Sequence, residues 1–292
     1  MRSVKLLVVT GLAAASTLGC GDAATPGGDR AVVGTERARE VAAAWTGSEA
    51  ARVWRQGYYP LGDAVQLPDK AFHDDNDKHA YITGNFRLEA PLPGTTKPEG
   101  EVRWSDGRSL TLPLTTARSA YDELARGGNS GPSLRVTGAR LGTMTLLTSR
   151  GTATVPAWLF TIKGYDTPLK RVAVTPGKLP RPPIGPVRKQ TAALGPLGGF
   201  EAVAGNGRTL TVRADHGACD DGPAVDVLET QDSVVLSASI RGVSDGPCTS
   251  ELRTEKVTVK LRGPFGRRIL LDAFTGRPVP YRQPGSASPS WS

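Results

Sequence analysis

The chain of 292 residues is long enough for about two domains. Its 35 glycines and 23 prolines fall short of low-complexity disorder but favour short strands and turns over long helices. A hydrophobic share of 38% allows a packed core, and no apolar run reaches the roughly 18 residues of a membrane-spanning helix. The net charge of +8 falls to +6 without Arg2 and Lys5, a balance too mild to mark a nucleic-acid binder but compatible with anionic lipid or cell-wall polymer.

Arg2 and Lys5 precede an apolar stretch from Leu6 to Leu18, too short to cross a bilayer and suited to an export signal over 1–19. The stretch closes on Thr17-Leu18-Gly19-Cys20, which resembles the lipobox of bacterial lipoproteins, although Thr17 departs from the usual leucine. That resemblance implies diacylation of the Cys20 thiol, and two acyl chains anchor stably because each buried CH₂ contributes ~0.8 kcal/mol. The chain is then expected at the outer face of the cytoplasmic membrane; the alternative is an ordinary signal peptide and a secreted protein.

Residues 20–34 read as a flexible small-residue tether. An N-terminal α+β domain is expected over 35–174. Thr35 is suited to cap a helix over Glu36 to Trp45, and Ser48 a second one over Glu49 to Gln56. Alternation predicts a strand from Tyr81 to Leu88. Ser105-Asp106-Gly107 predicts a hairpin between Glu101–Trp104 and Arg108–Leu114. A helix over Ala117 to Arg126 precedes a long hairpin of Leu134–Thr148 and Thr152–Lys163, and a last strand over Arg171 to Val174.

Thr175 to Gly199, rich in proline and free of acids, reads as a polyproline spacer between domains. A C-terminal β domain is expected over 200–281, with strands at Thr209–Ala214, Val225–Glu229, Val234–Ile240, Lys256–Leu261 and Ile269–Phe274. Residues 282–292 read as a disordered tail. The fold class is therefore mainly β with short helices, the second domain being an antiparallel sandwich-like or open-barrel sheet.

Once Cys20 is set aside, Cys219 and Cys248 remain, both beside Asp-Gly-Pro turns. A disulfide between them fits an oxidising compartment better than a zinc pair with His216, which is a ligand short. The densest run of metal-type ligands is His73-Asp74-Asp75-Asn76-Asp77-Lys78-His79. His73, Asp75, Asp77 and His79 are candidates there, though the spacing matches no zinc or calcium motif and an ordinary polar turn also explains it. Asp215, Asp220, Asp221 and Asp245 are a second such group, again with turn neighbours. Gly128-Asn129-Ser130-Gly131-Pro132 resembles the nucleophile loop of trypsin-like proteases but lacks the second glycine, and no histidine has a matching context. No phosphate-binding loop, dinucleotide turn or hydrolase elbow is present, so no cofactor is expected.

Strand parity puts Lys256, Lys260 and Arg262 on one face, opposite Val257, Val259 and Leu261, a candidate stripe for an anionic polymer. Residues 200–282 nevertheless carry eleven basic and eleven acidic side chains.

Residues 216–223 (HGACDDGP), 245–248 (DGPC) and 271–280 (LDAFTGRPVP), with 54–61 (WRQGYYPL) and 155–160 (VPAWLF), resemble exported lipoproteins of Streptomyces-like actinobacteria. The resemblance implies an address and an architecture, with no catalytic residue. The expected function is that of a membrane-anchored cell-envelope lipoprotein, a non-catalytic binding or structural module. Its partners would be the membrane, through Cys20, and an anionic wall polymer or envelope protein, with no nucleic acid. The alternative is a metal-dependent hydrolase using the His73–His79 cluster.

Overall fold

The structure is a computed structural model that describes residues 26–69, 71–94, 98–128, 130–243 and 246–282. The export signal, Cys20, Asp245 and the tail beyond Arg282 lie outside the described residues. Among the described residues no helix is long and apolar enough to cross a membrane.

The architecture is mainly β with short helices, and no sheet closes into a barrel. The first sheet has seven strands. β1 (Val65–Gln66), β7 (Leu169–Val172), β6 (Gly151–Ile162), β3 (Glu99–Trp104) and β4 (Ser109–Pro113) lie in that order. β5 (Leu134–Thr148) runs antiparallel along β6, and β2 (Phe86–Leu88) pairs in parallel with its start. Both hairpins expected from the sequence form, with Arg103 opposite Ser109 in one and Thr148 opposite Gly151 in the other. Gly107 (φ 82°) and Gly151 (φ 99°) take the left-handed backbone that these turns require.

β6 is buried on both faces, and its parity separates two cores. Trp158, Phe160 and Ile162 join the side chains under α3 (Asp75–Ile82) and α4 (Ala117–Leu124). Ala153, Val155, Ala157 and Leu159 pack instead with Tyr58, Val102, Trp104 and Leu146. α3 replaces the expected polar turn and the first part of the expected strand over Tyr81–Leu88. The Asp74 side chain accepts from the Asp77 N–H and caps it, so the polar run begins a helix, and the strand starts only at Phe86. α4 has the expected start, capped by Thr116, but ends at Leu124 before Gly127.

The second body has two facing sheets. One is β10 (Gly222–Glu229), β11 (Ser233–Arg241), β13 (Ile269–Asp272) and β14 (Arg277–Pro278); the other is β12 (Leu252–Lys260), β9 (Thr209–Gly217) and β8 (Leu197–Val203). It is sandwich-like, but not wholly antiparallel as expected, since β11 and β13 run in parallel. β9 alternates strictly, burying Leu210, Val212, Ala214 and His216.

Packing does not divide the chain at the expected boundaries. α1 (Pro26–Trp45) takes in residues 26–34, where a flexible tether was expected, and Thr35 lies inside it rather than capping it. Pro26 suits a first helical turn. Ala38, Val41, Ala42 and Trp45 then fall on one stripe that packs on the second body, with β11 as the main neighbour. The Ser237 hydroxyl donates to Gly34 O at 2.9 Å, and the Trp45 indole N–H donates to Gly276 O at 2.9 Å. α2 (Glu49–Gln56), capped by Ser48 as expected, buries Trp54 in the same core, stacked on Tyr59 at 4.5 Å.

The proline-rich segment 175–199 is likewise not a free spacer. Leu194 and Leu197 are buried, and Leu179, Ile184 and Val187 pack partly against the core. Val187 N–H donates to Phe274 O and Gly195 N–H to Ala238 O, which straps the segment across the second body.

The Asp272 carboxylate is enclosed in this core, with 4% exposure. Burial pushes it up to about 6, against hydrogen bonds from Phe274 N–H, Thr275 Oγ1 and Leu197 N–H that favour the charged form. A folded value above the unfolded one means the protonated state is favoured on folding. Stability from this group is fully present below pH 4 and is lost as pH rises through 6. Relative to Asp272→Asn, the wild-type protein should gain on the order of 2–3 kcal/mol between pH 7 and pH 4 in urea unfolding. Parallel pH profiles for the two proteins would refute this.

Candidate functional site

Four chain segments distant in sequence meet at one cleft between the two bodies. α2 brings Arg55, anchored by the neighbouring buried Trp54. The β5–β6 turn brings Ser149 and Arg150, the β10–β11 turn brings Gln231 and Asp232, and the segment after β12 brings Arg267 and Arg268. These residues line a cavity of about 250 Å³.

Each turn is fixed by its own backbone chemistry. Ser149 N–H donates to Tyr59 O at 2.8 Å, and Thr148 Oγ1 accepts from the Arg150 N–H and from the Trp104 indole. Thr230 Oγ1 accepts from the N–H groups of Asp232 and Ser233, closing the β10–β11 turn at the expected Gln231-Asp232. Glu229 gathers the third segment: its carboxylate accepts from Arg262 N–H, Gly263 N–H and Arg268 Nη1. Burial alone would raise Glu229, but these bonds hold it down at about 2, so it stays charged and keeps the loop in place.

Arg150 is the centre of the site. Its guanidinium lies 3.7 Å from the Trp104 ring centroid, and Nη1 donates to Gln56 O at 2.9 Å. Its Nε is buried and has no hydrogen-bond partner among the described residues. A buried unpaired donor costs about 1–3 kcal/mol. Burial, then the nearby Arg108, pushes the Arg150 guanidinium below the usual arginine range; Asp106 opposes this and Arg267 adds to it. The other arginines are only partly neutralised. Arg55 pairs with Asp232 at 2.7 Å, and Arg267 with Asp106 at 3.3 Å, an acid that Arg108 already chelates. Such a set can bind an anion by charge-assisted forks. No nucleophile and base are paired there, since Ser149 Oγ is directed to Trp54 O.

The residues proposed from sequence fare differently. Cys219 and Cys248 form the expected disulfide, with Cα atoms 6.0 Å apart. His216 is a buried strand residue with Nε2 3.0 Å from Glu255 Oε1. Of the four candidates His73, Asp75, Asp77 and His79, only His73 and Asp77 approach each other, with Nδ1 3.8 Å from Oδ2. His73 stacks on Tyr165, whose hydroxyl donates to Asp77 Oδ2 at 2.6 Å, while Asp75 and His79 are exposed elsewhere on α3. No group of three or more metal-type ligands converges among the described residues. Asp215 accepts from Thr254 Oγ1 and Asp220 from Gly217 N–H, as cross-strand and turn partners. Ser130 lies on an exposed loop whose neighbours Gly131 and Pro132 are held by the Asn85 amide.

On β12, Lys256 and Lys260 are exposed and Val259 is buried; just past the strand, Arg262 is exposed and Leu261 buried, as parity required. The stripe is nevertheless interrupted: Lys256 reaches Glu201 at 2.8 Å, which Arg213 also binds. Arg55 and Arg150 had no sequence signal as site residues, because each is a lone arginine beside a turn.

In comparisons with known proteins, no family model, no curated protein and no solved structure matched the chain.

Proposed function

We propose that this chain is an exported envelope protein, held at the outer face of the cytoplasmic membrane through lipid on Cys20, that works by binding an anionic group in the arginine cleft. The observation that carries the binding role is the convergence of Arg55, Arg150, Arg267 and Arg268 on one cavity, with the Arg150 Nε left without an acceptor. The address rests on the export-type N-terminus and the cysteine that closes it. Binding without catalysis is favoured because the cleft offers cations and no activated nucleophile.

The test uses the full chain purified in detergent and pyrophosphate as probe. Pyrophosphate should raise the melting temperature, half a molar sodium chloride should suppress the shift, and Arg267→Ala should weaken binding roughly tenfold. Arg267 is a rim residue with 60% side-chain exposure, so its loss leaves the fold intact. Absence of any shift at low salt would overturn the binding role. Intact-mass analysis of the same material reads the address: a diacylglyceryl adduct on a chain beginning at Cys20 supports it, and an unmodified terminus refutes it.

A further inference from the structure

The cleft is one end of a longer series of cations. Arg268 shares Glu229 with Arg262, whose carbonyl oxygen accepts from Arg208 Nη1 at 2.6 Å. On the other side Arg267 shares Asp106 with Arg108. Arg55 and Arg150 complete the series inside the cavity. Five of these seven guanidinium groups share three carboxylates, Asp106, Glu229 and Asp232, and with Arg150 and Arg208 the surplus is four positive charges. One small anion would satisfy the cavity but leave Arg208 and Arg262 unused. Both are exposed, and Arg262 is 84% accessible while its backbone N–H holds Glu229.

We infer that the ligand is a linear phosphate polymer, one phosphate seated among Arg55, Arg150 and Arg267 and later ones lying over Arg262 and Arg208. This rests on the cleft reading and specifies its ligand. Guanidinium groups arrive from a helix end, a hairpin turn and a loop, hence from several directions. A tetrahedral phosphate has oxygens pointing several ways to accept them, whereas a carboxylate accepts within one plane. Repeating charge also explains why the positive surplus extends beyond a cavity of about 250 Å³. Polymer binding of this kind releases counterions and is salt-dependent in proportion to the phosphates contacted.

The experiment compares long-chain linear polyphosphate, pyrophosphate and polyglutamate on the full chain in detergent, with the double variant Arg208→Ala/Arg262→Ala beside wild type. Polyphosphate should bind at least roughly tenfold more tightly per phosphate than pyrophosphate, with a salt slope that falls by about 1 for each arginine removed. The double variant should lose that advantage and bind pyrophosphate as wild type does. Equal affinity per phosphate for polymer and pyrophosphate, or a polymer affinity untouched by the double variant, would overturn the polymer inference while leaving the cleft reading intact. Polyglutamate binding as tightly as polyphosphate would overturn the assignment to phosphate. Failure of pyrophosphate and polymer alike would instead remove the cleft reading itself.

Discussion

Trp45→Ala should cost about 3–5 kcal/mol in urea unfolding, the range for truncating a buried aromatic residue. Trp45 is 2% exposed and lies in the core formed by α1, α2 and the second body. Its indole N–H donates to Gly276 O across 231 positions of sequence, so truncation both opens a cavity and leaves a buried carbonyl without its partner. Trp45→Phe keeps most of the apolar surface and should cost less, about 1–3 kcal/mol, chiefly for the lost hydrogen bond. The comparison reads directly whether α1 belongs to the second body. A Trp45→Ala protein as stable as wild type would mean that the helix is not docked there.

The second large effect is expected from the disulfide. Replacing Cys219 and Cys248 together by serine frees a loop with a separation of 29 residues. In the chain-entropy account that should cost about 3–4 kcal/mol. The bridge sits where β9 ends and β10 begins, and Cys248 precedes β12. On the second body the arginine cleft is lined by Gln231 and Asp232, just past the end of β10, and by Arg267 and Arg268, past the end of β12, away from the bridge at the start of β10 and of β12. The cysteine-free protein should therefore unfold at lower urea concentration, yet bind pyrophosphate with wild-type affinity while folded. Unfolding and affinity measured on the same sample separate the two roles. A loss of affinity in the folded protein would show that the bridge and the cleft are coupled.

Local chemistry explains which parts of the fold were legible in the sequence. The Ser105-Asp106-Gly107 turn, the Ser149-Arg150-Gly151 turn and the Ser48 cap each place the required residue within a few positions of the element it ends. The parity of Val257, Val259 and Leu261 against Lys256, Lys260 and Arg262 needed only the two-residue strand period. The cysteine pair followed from counting. Gly27, Gly28 and Gly34 are poor helix formers, so the sequence predicts a shorter α1, and packing against Ser237 outweighs that propensity. An Asp/Asn run serves both a turn and a helix N-terminus, so local sequence does not separate α3 from a turn.

Long-range assembly was not legible. In the 175–199 segment the apolar residues Leu179, Ile184, Val187 and Leu194 are isolated among prolines and follow no period, so their docking on the core had no local signal. The cleft is the extreme case. Arg55, Arg150 and Arg267 come from a helix end, a hairpin turn and a loop, and only the folded chain sets them beside one another. The sequence pointed instead to the basic strand, of which only Arg262 joins the cationic series, while Lys256 is taken up by Glu201.

The most direct test of an anion site centred on Arg150 is a side-chain Nε–Hε correlation spectrum, recorded during titration with pyrophosphate at low salt. The Arg150 signal is assigned by its disappearance in Arg150→Lys. The Arg150 Nε–H is expected to shift progressively to saturation as the phosphate seats against its guanidinium. An Arg150 signal that stays in place through the titration would contradict a binding site built around it.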